Sequence, residues 1–225
     1  MESSLSVSPA PKRLKEMTAD QIAATLADDA RLIIPVGTCE RYHPSLPIGC
    51  ATIIAERLAD DLSAEFSVLR APTVEYGVNA GDLDTSSKKS PAGYPGRVAV
   101  RKKTLHRLLN DMLAAWECHG VNEFILLTAH AHDPHQEAID TVATTRARVR
   151  VVDLFAVNLS DLLKRPTDQY ELGNVFLSLM LYLAPTLVRN MTVGDEGTAD
   201  QGRALYERIR ARVSERIFLA PVPSE

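Results

Sequence analysis

The feature that most constrains this chain is a set of short apolar runs, each stopping where glycine or polar residues begin. Three stand out: 31–37 (RLIIPVG), 123–128 (EFILLT) and 149–155 (VRVVDLF). Runs this short, rich in aliphatic and β-branched residues, read as strands covered on both faces. Between them the apolar period changes to that of a helix. Ile22, Ala23 and Leu26 share a face within 18–29, behind Thr18 as N-cap. Ile54, Leu58 and Leu62 do so within 51–64, and Leu105, Leu108, Leu109, Met112, Leu113 and Trp116 within 104–119. A further strand is predicted over 66–71 and a short one over 98–100. Helices are predicted from 134 to about 148, over 173–183 and over 198–216. Strand and helix alternate with crossovers of a dozen residues or more. That order predicts a three-layer α/β fold, a mostly parallel sheet with helices on both faces. Residues 1–16, Ser/Pro-rich and then basic, are predicted to be a flexible N-terminal arm, and 17–225 a single domain.

Charge and cysteine usage narrow the class. The 225 residues carry 25 Lys and Arg against 29 Asp and Glu, so the basic excess of a nucleic-acid binder is missing. The longest apolar stretch, 175–188, falls short of the roughly 18 residues of a membrane span and contains Pro185. The N-terminus has no apolar core of a secretory signal. Cys39, Cys50 and Cys118 are an odd count without C-x-x-C spacing, which fits reduced thiols in a cytoplasmic protein.

In parallel sheets, ligands bind beyond the carboxyl ends of the strands. Two of those ends are rich in reactive groups. The first holds Thr38, Cys39, Glu40, Arg41, Tyr42 and His43. The second holds His130, His132, Asp133, Pro134 and His135. Imidazole beside carboxylate suits Zn, Fe or Mn. The same loop also fits a solvated helix cap, with Asp133 as N-cap before Pro134. Glu40 is a candidate metal ligand or general base, or the partner of Arg41 or Arg57. Cys39 would need a depressed pKa to act as a nucleophile, and a small buried cysteine is the commoner case. A third polar stretch runs from Asp168 through Glu171 to Asn174, where helix capping accounts for Asp168 and Asn174. Lys88, Lys89, Arg97 and 101–103 form a basic patch, either a draw for an anionic substrate or a solvated face. The long Gly- and Pro-rich segment 73–96 has the length of a functional loop.

Several motifs, taken in order, resemble the creatininase family of metal-dependent amidohydrolases. They are 34–40 (IPVGTCE) followed by 44–49 (PSLPIG), 71–77 (APTVEYG), 94–96 (YPG), His119-Gly120 with 124–130 (FILLTAH), and 179–188 (LMLYLAPTLV). The resemblance spans about 32–188. It implies a layered parallel α/β fold, divalent metals that activate water against an amide or formamide carbon, and assembly into oligomers. Glu40 stands at the family's glutamate ligand and His130 at its second-signature histidine. Tyr42 and Ser45 replace histidines, Ala51 replaces the aspartate that bridges two metals, and Phe176 stands where a glutamate is common. Glu171 replaces a histidine, and His132 stands at a glutamate ligand of the creatinine-cleaving members. Without the bridging carboxylate, two cations a few ångströms apart repel strongly in a dry cleft. Three outcomes follow from the resemblance. One divalent metal (Zn, Fe or Mn) is rebuilt on Glu40, His130 and His132. Or the cleft runs metal-free acid/base chemistry with Glu40, Tyr42, His130, His132 and Glu171. Or the chain is a catalytically inactive homologue serving as a binding or assembly subunit. The leading expectation is a hydrolase-like enzyme acting on a C–N bond of a small amide, formamide or cyclic amide. In it His132 is third ligand or general base, and Tyr42 donates to a developing oxyanion. Its partners are a small-molecule substrate and further copies of the chain in a homo-oligomer, with no nucleic acid and no membrane.

Overall fold

Residues 31–36 illustrate how the sheet is built. In strand β2 (Arg31–Val36) Leu32, Ile34 and Val36 face one side and Ile33 the other, and all four are fully buried. Strand β4 (Glu123–Thr128) repeats the pattern, with Phe124 and Leu126 on the first side and Ile125 and Leu127 on the second. A strand covered on both faces needs helices above and below, as the unbroken apolar runs required. The computed structural model describes residues 9–79, 95–130, 132–156, 169–192 and 195–219, without the side chains of residues 169–171.

Five strands form one parallel sheet in the order β1-β3-β2-β4-β5. The outer ones are β1 (Lys12–Arg13), β3 (Leu69–Arg70) and β5 (Arg148–Asp153). On one face helix α2 (Cys50–Phe66) packs Ile54, Leu58 and Leu62 onto the sheet, beside α5 (Gln169–Leu183) and α6 (Ala199–Val213). On the other lie α1 (Ala19–Asp28), α3 (Lys102–Cys118) and α4 (Asp133–Asp140), with Leu105, Leu109, Leu113, Ala138 and Ile139 in the core. This is the expected three-layer α/β architecture. No helix among the described residues is long and apolar enough to cross a membrane. Thr18 caps α1 in a reciprocal box with Gln21.

Several boundaries differ from the sequence-based expectation. Lys12 and Arg13, placed in the arm, pair with Leu69 and Arg70 at the sheet edge, because Arg13 reaches Asp60 of α2 through two hydrogen bonds of 2.8 and 3.0 Å. The 66–71 strand shrinks to Leu69–Arg70, and 98–100 to one antiparallel bridge between Cys39 and Val98. The helix expected to reach residue 148 stops at Asp140. Side chains of α3 capture the backbone beyond it. Asn110 accepts the Ala143 N–H at 2.8 Å, and the Glu117 carboxylate accepts the N–H groups of Thr145, Arg146 and Ala147 at 2.5–3.0 Å. Amides held this way are unavailable to a helix, and the chain is delivered straight into β5. Asn174 lies inside α5 rather than at its start, and Asp168 lies outside the described residues.

Candidate active site

The site forms where β2, β4 and β5 end on the same edge of the sheet. At the end of β2, Gly37 lets the chain press against the first turn of α2: a Cβ there would stand 2.0 Å from Thr52 Oγ1. The Thr52 hydroxyl in turn accepts the Thr38 N–H and donates to the Thr38 carbonyl, both at 3.2 Å. This fixed exit aims Glu40 and Tyr42 across the sheet edge toward the end of β4.

There they meet His130. Glu40 Oε2 lies 3.5 Å from His130 Nε2, and the Tyr42 hydroxyl makes a short hydrogen bond to His130 Nδ1. The imidazole is only 5% exposed and Glu40 13%, so the ring is dry while the carboxylate still reaches solvent. His130 Nε2 also points at the Val78 carbonyl, 3.0 Å away. A carbonyl only accepts, so the ring carries its proton on Nε2 and takes the Tyr42 O–H on Nδ1. Burial lowers the His130 pKa to about 4, with the neighbouring His132 adding to that, so the ring is neutral at pH 7. Burial also raises the Tyr42 phenol well above its ordinary value, and the Glu40 and Asp153 carboxylates act in the same direction. The Tyr42 ring stacks on Phe176 of α5 at 3.9 Å between centroids.

His135, in the same sequence cluster but given no separate role in it, is the support. It is fully buried, accepts the Val78 N–H on Nδ1 at 3.2 Å, and donates from Nε2 to Thr128 Oγ1 at 3.0 Å. Burial holds its pKa down at about 3, so it is locked neutral. It thereby fixes the segment whose carbonyl selects the His130 tautomer. Its signal in the sequence was spacing: Thr128 and His135 are seven residues apart across a strand–loop–helix turn. Asp153, at the end of β5, was missed altogether because it reads as an ordinary strand-end carboxylate. Burial raises its pKa to about 6, against one opposing hydrogen bond from the Phe155 N–H.

Other expectations move. His132 occupies the N-cap of α4, where Asp133 was expected, and makes no capping bond. Its ring lies 5.7 Å from that of His130 between centroids. Glu40 pairs with His130 and, at 3.9 Å, with Arg97, whereas Arg57 bonds Asp61. The Cys39 thiol is pushed up by burial, the opposite of what a nucleophile needs. The Tyr42 proton is committed to His130, so the expected donation to an oxyanion is not available from that hydroxyl. The side chain of Glu171 lies outside the described residues, as do Lys88 and Lys89. The buried Asn79 Oδ1 has no hydrogen-bond partner among the described residues, although Asn79 Nδ2 donates to the Cys39 carbonyl at 2.7 Å.

The donor set does not fit the expected single metal. A metal-bound imidazole needs a free ring lone pair, and the one on His130 is taken by Tyr42. Among the described residues, no group of three or more His, Cys, Asp or Glu side chains is arranged to hold an ion.

The creatininase profile, described as creatinine amidohydrolase, matches residues 15–217. The chain belongs to the creatininase family. A solved creatinine amidohydrolase superposes with a TM-score of 0.74 at 18% identity, covering 94% of this chain and 99% of that one. A creatininase described with Mn superposes at 0.73 and 18% identity, over 92% and 99% of the two chains. At such identities the likeness carries the fold of the family. A 3-dehydro-scyllo-inosose hydrolase of Thermotoga maritima (strain ATCC 43589 / DSM 3109 / JCM 10099 / NBRC 100826 / MSB8) is 27% identical over 145 residues. The match takes in 64% of this chain but only 43% of that relative's length.

Proposed function

We propose that this creatininase-family chain hydrolyses a C–N bond of a small amide, formamide or cyclic amide by acid/base chemistry that uses no resident metal. The observation that carries the reading is the 3.5 Å approach of Glu40 to His130, from segments 90 residues apart in the chain, in a pocket where the imidazole is neutral. Glu40 is the general base. It takes a proton from a substrate water as the oxygen adds to the carbonyl carbon. The Nε2–H of neutral His130, which rests on the Val78 carbonyl at 3.0 Å, gives up that bond for the oxygen that becomes negative, a stronger acceptor because it carries charge. When the C–N bond breaks, the leaving nitrogen receives the proton that Glu40 took. Tyr42 holds the His130 tautomer, and Arg97 orients the Glu40 carboxylate. Asn79 Oδ1, an acceptor without a partner among the described residues, suits a substrate N–H. His132 and Glu171 are proposed as further members of this acid/base set.

The test is a hydrolysis panel of creatinine, an N-formyl amine, a small lactam and 3-dehydro-scyllo-inosose, run with chelator-treated protein. The expected result is turnover of at least one amide, less than about half an equivalent of Zn, Fe or Mn, and no gain on adding metal. Stoichiometric metal with activity only in its presence replaces this mechanism with the one-metal site on Glu40, His130 and His132. Activity unchanged in Glu40→Gln and His130→Ala removes the catalytic assignment. The proposal includes a cytoplasmic homo-oligomer. Leu108, 45% exposed on the apolar stripe of α3, is a contact point to examine, and native mass measures the assembly.

A further inference from the structure

The Tyr42 hydroxyl works only if it points at His130, and Tyr42 sits on a loop rather than on a helix or strand. One grip on it comes from α5. Phe176 stacks under the ring, and Gly173 passes so close that a Cβ would stand 2.8 Å from the Tyr42 carbonyl oxygen. A second grip comes from the turn that the Asp195 N–H closes on the Thr192 carbonyl at 3.2 Å, and from the residues before it, through the residue next to Tyr42.

His43 is 7% exposed. Its Nδ1 accepts the Ser45 N–H at 3.1 Å, so the ring proton sits on Nε2, which faces Asp195 Oδ1 at 3.2 Å. Asp195 is 8% exposed, and its other oxygen accepts the Thr192 N–H at 2.7 Å. Two more bonds join the same loop and turn: Arg189 N–H to the Ser45 carbonyl at 2.9 Å, and Ser45 Oγ to the Asn190 carbonyl at 3.3 Å. Asn190 takes the left-handed conformation, φ +50°, to present that carbonyl. A carboxylate that orients a buried imidazole by its Nε2–H removes the ring's freedom to rotate or to change tautomer. Here the oriented ring makes no contact with a reacting atom. Its effect reaches the chemistry through the backbone it shares with Tyr42.

We propose that His43 and Asp195 are positioning residues: their buried hydrogen bond fixes the 40–45 loop against the turn closed by Asp195 and so aims the Tyr42 hydroxyl at His130. The inference rests on the acid/base role given to His130 above, but it has a readout that needs no substrate. The ring nitrogens of His130, observed by ¹⁵N NMR, report its tautomer. They are expected to show one Nε2–H form with a hydrogen-bonded Nδ1, and Tyr42→Phe provides the reference in which that bond is lost. Asp195→Ala is expected to move His130 toward the Tyr42→Phe spectrum, and to lower kcat on any substrate found by roughly 10- to 100-fold, the scale for a misaimed group, with KM little changed. Asp195→Asn keeps an acceptor for the His43 N–H and is expected to restore the wild-type tautomer. His43→Phe keeps the ring volume and removes both of its hydrogen bonds, so it makes the same comparison if Asp195→Ala does not fold. A wild-type His130 spectrum in Asp195→Ala or His43→Phe overturns the proposal, as does an Asn variant as damaged as the Ala one. A shifted tautomer in a protein that hydrolyses nothing sinks the enzymatic reading and leaves the positioning role standing.

Discussion

The two ends of the sheet are built from the same strands and treat charge in opposite ways. At the amino end, charges are neutralised in pairs that water can reach. Arg31 bonds Asp29 at 2.6 Å with both side chains about a quarter exposed, and Arg150 bonds Glu123 across β4 and β5. Arg31 also lies over the Phe218 ring, 4.8 Å from its centroid. At the carboxyl end, burial shifts ionisable groups toward their neutral forms: His130 and His135 lie below their ordinary pKa and are neutral at pH 7, and Tyr42 and Asp153 lie above theirs. Solvated pairs cost little and contribute little. Neutral imidazoles and a protonatable carboxyl held out of water are expensive, and such clusters mark functional sites more often than structural ones. The contrast marks the carboxyl end, where parallel sheets bind ligands, as the candidate site.

The contrast can be broken most severely by removing its reactive members. Glu40→Gln and His130→Ala are each expected to lower kcat on an identified substrate by roughly 10²- to 10⁴-fold with the thermal transition retained. Next comes the geometry that aims Glu40. Gly37→Ala forces a methyl group against Thr52, and denaturant unfolding should show a loss of roughly 3 kcal/mol.

Acid stability sharpens the comparison further. His130 and His135 titrate near 4 and 3 when folded, against 6.5 ordinarily. Their contribution to stability is therefore complete above pH 6.5 and is lost as pH falls. Asp153, raised from 3.8 to about 6, acts in the opposite sense: its contribution is complete below about pH 4 and is lost as pH rises through 6. Between pH 6 and 4 the unfolded chain gains two imidazole protons while the folded one holds one extra carboxyl proton. The net slope is about 1.4 kcal/mol per pH unit, less stable toward acid. Urea titrations at several pH values measure it, and Asp153→Asn should steepen it to about twice that.

Smaller effects follow. Tyr42→Phe leaves the buried Nδ1 of His130 without a donor and should cost about 1.5 kcal/mol in equilibrium unfolding. At the other end, Asp29→Asn disturbs only a solvated pair. A double-mutant cycle with Arg31→Met should return roughly 0.5 kcal/mol, shrinking with added salt. A coupling at Arg31–Asp29 as large as the Tyr42 effect would erase the distinction between the two ends.

Much of the architecture was legible in one dimension. The runs at 31–37 and 123–128 are buried after their first residue, and the stripe on 104–119 lies on α3 as its period required. The failures share one cause. The helix after Pro134 stops at Asp140 because Asn110 and Glu117, some thirty residues earlier, capture the following amides. Lys12 and Arg13 become a strand because Asp60 holds the arginine. Local propensity cannot register such partners. At the site, Glu40, Tyr42, His43, His130 and His135 were visible as reactive residues at strand ends, whereas Asp153, Asp195 and the supporting roles of His43 and His135 were not. Their roles depend on burial and on groups distant in the chain.

The sequence by itself determined the alternation of buried strand and amphipathic helix, and with it the sheet edge to which Glu40 and His130 belong. Periodicity is a property of neighbours along the chain, and burial follows from it. Only the tertiary structure decided that one nitrogen of His130 faces the Val78 carbonyl and the other the Tyr42 hydroxyl. Those facts are set by the Val78 carbonyl and a phenol brought in from other loops, and hydrogen-bond direction exists only once donor and acceptor are placed in space.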